Sequence, residues 1–186
     1  MKKMTIYQLT VTALLAAVLC VVGPLSVPIG EVPFSFSNLV IMLAAYLLGA
    51  KLGTGSVLIY LLLGAFGLPV FSGYGAGLAK LVGPTGGYLV GFLFLAAIAG
   101  IFVDHSGGSI RWGIVGMLLG EVVLYLFGTV WYMIESGNPF GASMAMCVIP
   151  FLPFDALKLI AVGLIGPVLR RRISAAGLLP AAKQAA

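Results

Sequence analysis

Charge is what this 186-residue sequence has least of. Asp, Glu, Lys and Arg make up 8 % of it, against 61 % hydrophobic residues, whereas a soluble domain is about a quarter charged. That shortage excludes an ordinary water-soluble fold and indicates an integral membrane protein, as does the mean hydropathy of +1.18. The apolar runs are continuous and lack the alternation of a β-barrel, so the spans are expected to be helices. Cysteine is scarce as well. Cys20 and Cys147 sit in apolar surroundings without CxxC spacing, which suits buried structural thiols better than a disulfide or a metal site. The lone histidine, His105, lies in the polar stretch "DHSGGSIR" with no second ligand type nearby, and is read as solvated. Catalytic signatures are missing too: no HExxH, no GxSxG, no GxxxxGK[ST] and no Asp cluster for magnesium. The chain is therefore expected to be neither an enzyme nor an ATPase, and to need no cofactor.

Six apolar segments remain, running approximately over 5–22, 36–49, 54–67, 83–103, 112–134 and 150–169. Six spans of roughly 20 residues with short connections account for one domain over residues 1–172, leaving an Ala-rich tail at 173–186. The second and third segments are short, which tilt or local thinning can accommodate. The start, "MKKMTIYQLTVTALLAAVLC", has the basic-then-apolar layout of a signal peptide but no good cleavage site, so it is read as a retained first helix. With both termini cytoplasmic, the inner side carries Lys2, Lys3, Lys51, Arg111, Arg170, Arg171, Arg172 and Lys183, and the outer loops only Lys80. That bias follows the positive-inside rule, so the net charge of +5 requires no nucleic-acid partner. The outer connections, "GPLSVPIGEVPFS", "LPVFSGYGAGLAKLV" and "ESGNPFGAS", are longer than the inner ones and rich in Gly, Pro and aromatics. Long irregular loops of that kind suit a ligand lid or plain connectors.

Three charges fall inside spans. Asp155 and Lys158, three apart in "PFLPFDALKLI", share one face of the last helix, roughly 8–12 Å below its outer end. Charges there are expensive and usually face a cavity or the bundle interior. A substrate contact and a structural pair are both open on the residues alone. Glu121, in "LLGEVVLY", could pair with Lys158, hydrogen-bond a Tyr or Ser, or stay protonated. Glycines 73, 75 and 77 allow a backbone to approach a ligand closely, and Pro84-Thr85-Gly86-Gly87 suits a helix start with free N–H groups. Ala13 and Ala17 form a small-xxx-small face, suited to internal packing or to docking of a partner helix.

Taken together, "VPFSFSN" (32–38), "GLPVFSGYGAGLAKLVGPTGGYLVGF" (67–92) and "PFLPFDALKLIAV" (150–162) resemble the BioY family, the biotin-specific substrate-binding (S) components of energy-coupling factor (ECF) transporters. The resemblance runs from the first segment to the arginines. It implies an all-α, six-helix membrane fold with both termini cytoplasmic, sitting in the cytoplasmic membrane of a prokaryote. It implies a biotin pocket on the outer side, holding Asp155 and Lys158. It also implies a partner module of a transmembrane coupling protein and two ABC-type ATPases, with Ala13 and Ala17 on the docking face. The family often shows PITLQ where this chain has Pro33 to Asn38. Candidate pocket residues are Asn38, Phe71, Tyr74, Gly75, Lys80, Tyr88 and Glu121, besides Asp155 and Lys158. Biotin's carboxylate suits a lysine and its ureido N–H groups suit an aspartate, among apolar walls that the Val-Pro-Phe loop could complete. The rival reading is a self-sufficient secondary transporter or channel for a small anionic solute, with Glu121, Asp155 and Lys158 as the path.

Overall fold

The computed structural model of the chain describes residues 5–27 and 32–175. Lys2, Lys3, Lys183 and the tail beyond residue 175 lie outside the described residues. α1 (Ile6–Val22) opens on a capping box between Thr5 and Gln8. A pair of two-residue strands, β1 (Ser26–Val27) and β2 (Phe34–Ser35), leads into α2 (Ser37–Ala65). A loop with one 3₁₀ turn at Ser72–Tyr74 and the short α3 (Leu78–Val82) precedes α4 (Gly86–His105). α5 (Ile110–Ser136), α6 (Phe140–Cys147) and α7 (Leu152–Ala175) complete the chain. Among the described residues four helices, α2, α4, α5 and α7, are long and apolar enough to cross a membrane, and α1 is a shorter apolar helix.

α2 is not one rod. Gly49 sits at φ 76°, ψ −173°, a region only glycine occupies readily, and the chain reverses there. Gly53 packs within van der Waals range of Ala44 and Ala45, and Tyr60 reaches the Ser37 hydroxyl; neither is possible along a straight helix at 1.5 Å per residue. The second and third apolar segments are thus two legs, 37–48 and 50–65, of a helical hairpin. "AKLG", expected to connect them, is helical itself. The turn works because other helices supply its polar needs. Asp104, at the end of α4, accepts the Ala50 N–H (2.9 Å), and Arg170 of α7 donates to the Tyr46 carbonyl (2.6 Å) and lies 3.4 Å from Asp104. A carboxylate meets the start of one leg and a guanidinium the end of the other, the signs that helix dipoles favour.

Six helical legs therefore alternate in direction. α4 forms the spine, packed most extensively on α5 and on α2, while α7 packs on α2 and α5. Small residues make the α4–α5 seam tight: a Cβ on Gly128 would fall 2.4 Å from the Tyr88 ring, so the glycine lets that ring lie flat against α5. The core runs from Leu19 and Tyr60 through Tyr46, Phe92 and Leu95 to Met117, Leu124 and Val162. The two ends differ in charge. Lys51, Asp104, Arg111 and Arg170 to Arg172 gather at the end holding the Gly49 turn, while β1, β2, the 3₁₀ turn, α3 and α6 cover the other. The two small strands and α6 are additions to the all-helical expectation; α6 begins directly after Pro139 in "ESGNPFGAS", where a plain loop was expected.

Candidate functional site

Three helices converge at the strand-capped end. α7 places Asp155 and Lys158 one turn apart near its start, each about 6 % exposed. α2 begins at Ser37, whose N–H is bonded by the Ser35 hydroxyl (3.1 Å), and this local cap sets Asn38 in the first turn facing α7. α5 contributes Glu121 and, one turn on, Tyr125. The five side chains form one network. The Lys158 ammonium donates to Asp155 Oδ1 (2.8 Å), Asn38 Oδ1 (2.8 Å) and the Ser35 carbonyl (2.7 Å). The Asn38 amide donates to Asp155 Oδ1 (2.7 Å) and Glu121 Oε1 (2.9 Å). The Tyr125 hydroxyl donates to Asp155 Oδ2.

Counting donors and acceptors decides what this cluster offers. An ammonium has three N–H donors and an amide nitrogen two, and all five are used inside the protein. Among the described residues Asp155 Oδ2 accepts only from Tyr125, and Glu121 Oε2, fully buried, has no partner. The cluster thus holds spare acceptors and no spare cationic donor. A buried charge pair is tolerable when its remaining valences are met by such hydrogen bonds, and here Lys158 is also covered by the rings of Phe34 (4.0 Å to the centroid) and Phe36 (5.7 Å).

Above the network lies a cleft of about 70 Å³, lined by Val32, Pro33, Phe34, Tyr88, Phe92, Leu124, Cys147 and Phe151 besides Asn38, Tyr125, Asp155 and Lys158. Through Val32, Pro33, Ser35, Tyr88 and Phe92 it continues into a second chamber of about 40 Å³. That chamber has a different character, with the hydroxyl residues Ser37, Tyr60, Ser72 and Thr85 around it. Both chambers are far below the 300–1,000 Å³ usual for small-molecule sites. The roof is the β1–β2 unit: the pairing of Val27 with Phe34 and Ser26 with Ser35 lays Phe34 over Lys158, stacked on Phe151 and tilted against Phe154.

The structure brings together Asn38, Tyr88, Asp155 and Lys158 at the cleft, with Glu121 one layer beneath, bonded to Asn38 rather than to Lys158, a Tyr or a Ser. The other candidates fall elsewhere. Phe71 is fully buried in the core, edge-on to Tyr60. Tyr74 is 67 % exposed at φ 59° on the loop tip. Gly75 pairs back to Phe71, and the Lys80 stem lies along Gly75, so that lysine packs on the loop outside the cleft. Ala13 and Ala17 lie exposed on α1, with Ala16 turned into the bundle. Sequence reasoning did not single out Tyr125, Ser72 or the cleft-lining role of Thr85. Tyr125 carried a usable signal, standing four residues after Glu121 and so on the same helical face. His105 is exposed, its Nδ1 2.9 Å from the Ile101 carbonyl. A wider surface groove of about 310 Å³ at the basic end, lined by Ile101, Phe102, His105, Ser106 and Trp112, has no comparable convergence of polar groups.

An apolar helical bundle that keeps a charged, hydrogen-bonded network with spare acceptors beneath a small strand-paired roof has the build of a membrane protein with a small-molecule site at one end. The BioY family model matches residues 1–175, and the chain belongs to the BioY family. It is 35 % identical to the biotin transporter BioY of Thermotoga maritima, over 88 % of this chain and 96 % of that one. It is 38 % identical to a probable biotin transporter BioY of Pyrococcus horikoshii, over 81 % and 88 %. The fold superposes with a TM-score of 0.84, at 33 % identity and over 91 % of this chain and 95 % of the other, on the crystal structure of an S-component for biotin from an ECF-type ABC transporter.

Proposed function

We propose that this protein is the biotin-binding transmembrane S component of an ATP-driven ECF importer. The observation that carries the reading is the Asn38–Glu121–Tyr125–Asp155–Lys158 network flooring an otherwise apolar cleft, in a chain of the BioY family. The six helical legs serve as six spans, with both termini and the basic end in the cytoplasm of a prokaryotic cell and the cleft outside. The chain binds and carries; it performs no chemistry. Its transport partners are a transmembrane coupling protein and two ABC-type ATPases, with the exposed Ala13–Ala17 face of α1 as the docking surface.

The donor and acceptor inventory suggests how the vitamin lies. Biotin has a rigid ureido head with two N–H donors and a carbonyl, and a flexible tail ending in a carboxylate. A floor with spare acceptors suits the head, one N–H reaching Asp155 Oδ2, while Phe34, Tyr88, Phe92 and Phe151 cover the bicycle. The tail then runs toward Ser72 and Thr85, whose hydroxyls and the adjoining α4 start supply donors for a carboxylate. Lys158 acts on this arrangement indirectly. It neutralises Asp155 and holds the roof through the Ser35 carbonyl and the Phe34 ring. Purified protein in lipid nanodiscs should bind biotin by isothermal titration. In liposomes it should move none until the coupling protein and ATPases are added. Biotin uptake by the protein alone would instead establish a secondary transporter.

A further inference from the structure

Glu121 belongs to the network under the cleft but does not line the cleft itself, and the proposed function gives it no part of its own. It lies one layer below, 6 % exposed, with one oxygen on Asn38 and the other without a partner among the described residues. A carboxyl in that position costs stability, so what it does for its one partner matters. Asn38 is the joint of the network. Its Oδ1 accepts from the Lys158 ammonium and the Leu39 N–H, and its Nδ2 donates to Asp155 Oδ1 and Glu121 Oε1. Turning the amide over would set two N–H donors against an ammonium and a carbonyl oxygen against two carboxyl oxygens. Asp155 holds only one of the two N–H groups. Glu121 holds the other and completes the set of bonds that fixes the amide.

We propose that Glu121 is a positioning residue for ligand recognition. It locks the Asn38 amide, and through it the Lys158–Asp155 pair, in the orientation in which Asp155 lines the cleft. This rests on biotin being the ligand and concerns how the floor is held rather than which groups touch biotin. The sequence offers no hint of the coupling, because the residues stand 83 apart on different helices.

The test is a double-mutant cycle read by biotin titration in nanodiscs, with Glu121→Met (or Glu121→Ala, should methionine not be accommodated) and Asn38→Ala. Glu121→Met should weaken biotin binding on the order of tenfold, the upper end for one lost hydrogen bond. In the Asn38→Ala background the same change should add less than about threefold, since the amide it positions is gone. Glu121→Gln, which keeps a carbonyl acceptor for Asn38, should recover most of the loss. Wild-type affinity in Glu121→Met, or losses that multiply in the double variant, overturns the proposal. Absence of biotin binding by the wild type, which needs no variant to detect, would overturn the proposed function itself.

Discussion

Asp155→Asn separates two roles that overlap in the geometry. Asp155 lines the cleft; its Oδ1 accepts from Lys158 and Asn38, and its Oδ2 accepts from Tyr125. Removing the charge leaves an ammonium that is about 6 % exposed with only neutral acceptors: the new amide's carbonyl oxygen, Asn38 Oδ1 and the Ser35 carbonyl. Breaking one side of a buried pair costs about 3–5 kcal/mol. The remaining neutral hydrogen bonds offset part of that, so a loss of about 2–3 kcal/mol in apo stability is expected. If an N–H of biotin also uses Oδ2, binding falls separately by about 1.5–3 kcal/mol, or roughly 10- to 150-fold in Kd. Isothermal titration together with thermal unfolding of the apo protein measures both. The discriminating variant is Asp155→Asn with Lys158→Met, which removes the stranded charge. Apo stability should recover while affinity stays low. A double variant that binds biotin like the wild type would show that Asp155 only neutralises Lys158, and would refute the ligand contact.

Other perturbations follow from the same geometry. Tyr125→Phe removes one hydroxyl donor to Asp155 Oδ2 and should lower apo stability by about 1 kcal/mol, checked by thermal unfolding in detergent. Its effect on biotin affinity should be several-fold and well below that of Asp155→Asn. Gly49→Ala places a Cβ 2.1 Å from the Asp104 carboxylate at φ 76°. It should destabilise by at least about 1–3 kcal/mol from backbone strain alone, although Gly49 lies at the end of the bundle away from the cleft. Titration of the folded fraction should return near wild-type affinity.

The charged pair was legible because an ionised residue stands out in an apolar run and the bilayer makes its presence costly. Asn38 entered only through the resemblance, at the place where the family often shows PITLQ. Tyr125 did not stand out, because a tyrosine blends into a membrane helix until its hydroxyl is seen to meet Asp155 thirty positions away. The loop candidates were harder still. Of the candidates in residues 67–92, Phe71, Tyr74, Gly75 and Lys80 miss the cleft chambers and Tyr88 reaches them, while Ser72 and Thr85 reach them without having been singled out as contacts. Which side of an irregular loop faces inward is set by pairings such as Phe71 with Gly75, which no periodicity announces. The reversal at Gly49 was hidden differently. "AKLG" reads as a connector by its lysine and glycine, but a single glycine makes the turn because Asp104 and Arg170, both distant in sequence, satisfy the backbone there.

The position of α7 gives the network a consequence beyond affinity. About a third (33 %) of its most apolar window is buried in the bundle, much less than for α4, and its buried face is limited to Asp155, Lys158, Leu159, Val162, Gly163 and Gly166. Two glycines and two aliphatic residues give a thin seam, so polar contacts hold the helix at both ends: the network at the cleft and Arg170 on the Tyr46 carbonyl at the basic end. A ligand that engages Asp155 Oδ2 strengthens only the first of these. At a biotin concentration a hundred times Kd, linkage predicts about 2.7 kcal/mol of added stability, and its distribution should be uneven. Hydrogen exchange should slow in the first two turns of α7, around 152–158, and in 32–38, while 166–175 changes little. Protection spread evenly along α7, or confined to 67–82, would mean that biotin is held by the loops and that the charged network is only structural.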